Sequence, residues 1–112
     1  LNTLKNLKIL EPQGYFEFLK LMKESAFVLT DSGGIQEETS YLNIPCITIR
    51  DNTERPVTCT MGTNTLVPFA QIDTVELLLS EKLKVGHKSI TIPKWDGQTS
   101  ERIAAILIDK HA

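Results

Sequence analysis

Apolar residues follow two rhythms along this chain. Short runs at residues 7–10 (LKIL), 26–30 (AFVLT) and Cys46–Ile49 (CITI) have the length and the polar or proline boundaries of β-strands. Residues 26–30 and Cys46–Ile49 are apolar almost throughout, the mark of strands covered on both faces. Between the runs the spacing becomes helical. Tyr15, Phe18, Leu19 and Met22 share one face of a segment predicted as a helix over Tyr15–Glu24. A short helix is predicted over 34–42 and is broken by Asn43, Ile44 and Pro45. Residues 51–56 read as a polar loop, 57–61 as one or two helical turns and 65–67 as a weak strand. Asp73 and Glu76 stand at capping-box spacing. They predict a helix running to about residue 84, with Val75, Leu78, Leu79 and Leu83 on one face. After a loop containing PKWDG, a last helix is predicted over 98–110, with Ile103, Ile106 and Leu107 facing inward.

The resulting order is β-α-β-α-β, then a short helix, a weak strand and two helices. Alternation of this kind implies parallel strands joined by right-handed crossovers. The expectation is an α/β chain: a partial doubly wound, Rossmann-like parallel sheet in a single unit over residues 1–112. Three or four strands make a thin sheet, so the chain reads as the later part of such a domain. It begins at Leu1 and not at Met, which fits a piece excised from a longer chain. An edge left open at residues 7–10 would invite self-association.

Composition narrows the partners. The 112 residues are 41% hydrophobic, enough for a real core. Twelve basic and 14 acidic side chains give a net charge of −2, which argues for neither nucleic acid nor an anionic membrane surface. An anion would have to be held by local geometry. No apolar run approaches a membrane span, and no signal peptide is visible. Cys46 sits in an apolar run as a small hydrophobe, whereas Cys59 sits among polar residues. A disulfide between them is only weakly indicated, and neither spacing nor histidine partners point to zinc. These features fit a reducing, cytoplasmic setting, with no metal and no cofactor.

The chemistry concentrates in TDSGGIQEE, residues 30–38. Ser32 among Asp31 and two glycines could be a nucleophile. That role needs a positioned base, and the only histidines are His87, in a loop, and His111, at the chain's end. An α/β-hydrolase elbow would also need glycine where Thr30 stands. The alternative is a phosphate cradle. A parallel strand ends at Thr30, a helix begins near Gly34, and its first amides are unpaired at the positive end of the helix dipole. Gly33 and Gly34 would let a phosphate approach the backbone, Ser32 would add a donor, and Glu38 could accept paired sugar hydroxyls. A plainer reading makes Ser32 a helix cap and the glycines a tight turn. RDNTERP follows the next strand, so Arg50 and Arg55 would emerge on the same sheet edge with a donor fork suited to phosphate. In a surface loop, Arg55 could instead pair with Glu54 or Asp51. From periodicity, Phe18 reads as core.

Taken in order, TDSGGIQEE, NIP, RDNTERPVT, GTN and WDGQTSERI resemble the non-hydrolysing UDP-N-acetylglucosamine 2-epimerases from about Pro12 to Leu107. The resemblance implies the later part of the second domain of a glycosyltransferase-B type fold, with UDP in the cleft between two Rossmann-like domains. It implies UDP contacts at Gln13, Phe18, Ser32, Gly33, Gly34, Glu38 and Arg55, with Phe18 lining the uracil pocket. Gly14 and Phe16 lie where the family varies. The family interconverts UDP-GlcNAc and UDP-ManNAc by eliminating UDP to a glycal and adding it back with C2 inverted. Its acid and base groups come from segments this chain lacks, so no catalytic residue is assigned and the piece alone is expected to be inactive. The implied partners are a UDP-sugar, the absent first domain and, at full length, a second subunit in a homodimer. Three alternatives stand beside it: a hydrolysing 2-epimerase, which shares the binding motifs, and a UDP-sugar glycosyltransferase or a non-catalytic nucleotide-binding module, which share the fold.

Overall fold

A computed structural model describes residues 5–85 and 91–111. Its centre is a three-stranded parallel sheet in the order β1 (Val28–Thr30), β2 (Cys46–Ile49), β3 (Asn64–Val67). Val28 pairs with Cys46, and Cys46 with Asn64. Sequential parallel order requires a crossover after each strand. Helix α2 (Ile35–Leu42) supplies the first and the short α3 (Val57–Thr60) the second. Helix α1 (Tyr15–Glu24) packs against α2. After β3 a 3-10 segment (Phe69–Thr74) leads into α4 (Val75–Val85), and α5 (Thr99–His111) ends the chain.

Local chemistry explains these boundaries. Gly14 precedes α1, and the Ser25 amide bonds back to the Met22 carbonyl to close it. Asn43 takes the left-handed conformation (φ 60°, ψ 36°) at the end of α2, a position that tolerates Asn better than most residues. Its amide and that of Ile44 cap the Ser40 and Thr39 carbonyls. Pro45 then turns the chain into β2. That central strand is covered on both faces, and Cys46, Ile47 and Thr48 are fully buried. Ile47, Val67 and Val75 form the core on one side, with Ile49, Leu78 and Leu79 packed against them.

Five expectations need correction. Residues 7–10 form no strand; Leu7, Ile9 and Leu10 are exposed, because no described strand offers them a ladder. Leu29 is 50% exposed, because β1 lies at the sheet edge and no described element covers that face. Asp73 does not open α4: the 3-10 segment already starts at Phe69 and continues into the helix. Ile103, Ile106 and Leu107 do not face inward, and no residue of α5 is buried among the described residues. Leu83 is likewise exposed.

Both cysteines carry free thiols. Burial pushes the Cys46 thiol above its ordinary range, partly offset by hydrogen bonds from Thr39 and Thr48. Cys59 is only partly covered. A disulfide reagent at neutral pH should therefore titrate one thiol quickly in the native protein, at Cys59, and the second only after denaturation. Peptide mapping that finds Cys46 labelled first would contradict this packing.

Candidate phosphate-binding site

The site begins where β1 ends. Thr30 turns its hydroxyl to accept the Ser32 amide at 3.0 Å, just ahead of a bend at Gly33. Gly34 then occupies the N-cap of α2 with no side-chain hydrogen bond to the first turn. Ser32 is therefore not the helix cap. Its hydroxyl has no partner among the described residues, so it is available beside the uncapped amides. A Cβ placed on Gly34 would meet nothing within 4 Å, so the backbone is open there. A Cβ on Gly33 would stand 3.0 Å from Arg50 Nη1 and 3.6 Å from Glu54 Oε2.

That second distance shows where the next loop lies. Residues 50–56 leave β2 on the same edge of the sheet and fold over Gly33. Arg50 pairs with Glu54 at 3.0 Å. Arg55 pairs with Glu37 of α2 and more distantly, at 3.8 Å, with Glu54. The surface pairing expected with Glu54 is thus present, but Asp51 takes no part and Glu37 is the nearer partner. Two cations and two carboxylates alternate beside the helix N-terminus. Both arginines are partly solvated, so these pairs are worth at most about 1 kcal/mol each and can exchange partners.

Glu38 is half-buried on the next turn of α2. It lines an open groove of about 400 Å³ between α1 and α2, with Tyr15, Leu19, Glu37, Tyr41 and Trp95. The other two predicted residues stand apart. Gln13 is exposed and donates to the Glu11 carbonyl at 2.8 Å. Phe18 is 41% exposed, so it is not the core residue that periodicity predicts, and it does not line the groove. Ser32, Gly33 and Gly34 thus lie together at the start of α2, with Arg50 against Gly33 and Arg55 paired to Glu37 of the first turn; Glu38 is on the next turn, and Gln13, ahead of α1, and Phe18, within it, stand apart.

Sequence reasoning passed over Glu37 and Gln36. Glu37 could have been found from its position, because an acidic residue in the first turn of a helix faces any cation near the N-terminus. Gln36 carries no such signal, since it reads as an ordinary polar helix residue. As for the nucleophile reading, His111 closes α5, and His87 lies outside the described residues.

WDGQTSERI, the last of the motifs, turns out to be a clasp for a helix start. Asp96 accepts the Gln98 amide and pairs with Arg102, which also donates to the Lys94 carbonyl. The Gln98 amide, then the Arg102 guanidinium, hold the Asp96 carboxyl below its usual range. Gly97 supplies the positive φ of 79° that the turn requires.

A family model described as UDP-N-acetylglucosamine 2-epimerase matches residues 1–108. The chain belongs to that family. A UDP-N-acetylglucosamine 2-epimerase from Methanocaldococcus jannaschii is 46% identical over 110 residues, covering 96% of this chain and 29% of the relative. The solved structure of UDP-GlcNAc 2-epimerase from the same organism superposes with a TM-score of 0.80 at 44% identity, again over 96% of this chain and 30% of the other. A second structure, the M. jannaschii enzyme in complex with UDP-GlcNAc and UDP, superposes at 0.72 with 46% identity over 96% of this chain and 29% of that one. This chain therefore spans somewhat under a third of the length of these relatives. The match carries the parallel α/β sheet into the glycosyltransferase-B type fold anticipated from the motifs. Among the described residues, no cluster of three acidic, histidine or cysteine side chains could hold a metal ion, and no helix is long and apolar enough to cross a membrane.

Proposed function

We propose that this chain forms the UDP-holding wall of a UDP-sugar 2-epimerase, the enzyme that interconverts UDP-GlcNAc and UDP-ManNAc. The observation that carries the reading is the uncapped N-terminus of α2, open at Gly34 and flanked by Arg55. Its support is membership of a family in which a relative's structure is that of a complex with UDP-GlcNAc and UDP.

In the elimination, the bond between C1 of the sugar and the β-phosphate oxygen breaks. Negative charge then gathers on the departing UDP. Helix amides, the Ser32 hydroxyl and the Arg55 guanidinium are placed to receive that charge, which favours the transition state over the intact sugar nucleotide. Glu38 would accept the ribose hydroxyls, while Gln13 and Phe18 would close on uracil. The groups that remove and return the C2 proton belong to the rest of the enzyme, which also provides the facing wall. The full protein works as a homodimer in the cytoplasm, a setting in keeping with two free thiols. The chain by itself binds UDP weakly and turns over no substrate.

Titrating the 15N-labelled chain with UDP tests this directly. Amide shifts should centre on Ser32, Gly33, Gly34 and Arg55; shifts elsewhere, or none at saturation, would count against the site. Gly34→Ala sharpens the test. Gly34 has α-helical φ and ψ and open space for a Cβ, so alanine should leave stability unchanged or raise it by about 0.4–1 kcal/mol. The same methyl group would stand where a phosphate approaches, and the UDP affinity should fall roughly tenfold, the loss of about one charge-assisted hydrogen bond.

A further inference from the structure

Gln36 is a fully buried amide in α2, a helix that also buries Thr39 and Ser40. Both polar atoms of its side chain are engaged. Its Oε1 accepts the Thr53 hydroxyl at 2.7 Å and the Asn64 amide at 3.0 Å, and lies 3.5 Å from Thr58 Oγ1. Its Nε2 donates to the Ser32 carbonyl at 3.3 Å.

Those partners converge on one residue. Thr53 Oγ1 accepts the Arg55 amide at 3.0 Å, and Thr58 Oγ1 donates to the Arg55 carbonyl at 2.8 Å. The Arg55 backbone is thus held on both sides, by a Thr53 hydroxyl that donates to Gln36 and by a Thr58 hydroxyl that the Asn64 amide links to Gln36. Asn64 closes the set: it donates to Thr58 Oγ1 at 3.3 Å and accepts the buried Thr48 hydroxyl at 2.6 Å. Gln36 therefore connects the loop carrying Arg55 to the carbonyl of Ser32, across two segments that share no strand pairing.

We infer that Gln36 is a positioning residue that fixes Arg55 relative to Ser32 and so sets the width of the diphosphate cradle. The inference rests on the UDP reading for its ligand, although the clamp itself is a property of the fold. The chemistry requires a neutral amide. A leucine would remove both the acceptor and the donor, and a glutamate would lose the donor to Ser32 and place a charge in a buried site. Because surrounding residues are satisfied only together, the geometry has little freedom to relax.

Gln36→Leu strands several buried donors and could unfold the chain, so Thr53 provides the cleaner test. Thr53→Val keeps the shape and removes the hydroxyl; Thr53→Ser keeps the hydroxyl. Two readouts are taken on the 15N-labelled chain: hydrogen exchange of the Arg55 amide without ligand, and affinity for UDP. With valine, Arg55 exchange should speed up and UDP affinity should drop roughly five- to tenfold, the cost of about one lost hydrogen bond. Exchange in β2 should stay unchanged, and serine should restore both values. Unchanged Arg55 exchange in Thr53→Val, or failure of serine to restore it, overturns the clamp. Faster Arg55 exchange with unaltered UDP affinity overturns the role in binding. If the unmodified chain binds no UDP while valine still frees the Arg55 amide, the nucleotide reading falls and the clamp stands.

Discussion

Arg55→Ala should raise the dissociation constant for UDP by about a hundredfold, close to 2.7 kcal/mol, while leaving the melting temperature nearly unchanged. The two halves of this expectation have different physical origins. In the free protein Arg55 is about 40% exposed and its pairing with Glu37 and Glu54 is solvated, so removing it costs the fold little. Against a diphosphate the same guanidinium makes charge-assisted, two-point contacts, each about twice as strong as a neutral hydrogen bond. Its removal would also leave Glu37 and Glu54 facing the incoming anion with one balancing cation fewer. Arg55→Lys should recover only part of the loss, because a single ammonium cannot reproduce the fork. Calorimetric titration at fixed ionic strength measures the effect; in the full-length enzyme the same change should appear in kcat/KM. A change below about threefold would show that Arg55 is only a surface partner of Glu37.

The elements most legible in the sequence were those whose boundaries are local. Helix α1 and strand β2 fall on the predicted residues, because Gly14 and Ser25 frame one and Pro45 and Arg50 frame the other. The turn from β1 into α2 was legible for the same reason: strand end, glycines and helix start lie within nine consecutive residues. What the pattern could not supply was the partner of each apolar face. Leu29, Ile103 and Leu107 have the periodicity of buried residues but no described neighbour to bury them. The chain spans under a third of its relatives' length, so a pattern selected for a larger assembly need not be satisfied within these residues. Gln36 illustrates the opposite failure. Its burial depends on Thr53, Thr58 and Asn64, each 17 or more residues away in the chain, and no local rule marks a polar helix residue as a hub.

Gly62→Ala should destabilise the fold by about 3 kcal/mol, at the upper end of what overpacking costs, and lower the melting temperature by roughly 10–20 °C. The same substitution at Gly34 should be harmless to the fold, and comparing the two separates packing from binding. At Gly62 a new Cβ would stand 2.4 Å from Ser40 Oγ, 2.6 Å from the Thr58 carbonyl oxygen and 2.9 Å from Ser40 Cβ. The obstacle includes backbone, so it cannot be relieved by rotating one side chain. Moving the turn away would pull on Thr63, whose amide donates to Ser40 Oγ at 3.3 Å and whose hydroxyl donates to the Ile44 carbonyl at 2.6 Å. The Thr63 carbonyl in turn accepts the Cys46 amide at 3.1 Å, where β3 begins to pair with β2. The GTN motif thus combines a glycine that admits α2 and α3 at close range, a threonine that ties the turn to β2, and an asparagine that completes the Gln36 network. Trimming Ser40 as well should not rescue the variant, because the Thr58 carbonyl remains in place. Thermal unfolding of Gly62→Ala, and of Gly62→Ala combined with Ser40→Gly, measures this. A Gly62→Ala protein that melts within about 3 °C of the parent would show that α3 can shift freely against α2. A Gly62→Ala protein that stays folded but loses UDP affinity would instead move this glycine from the scaffold into the binding site.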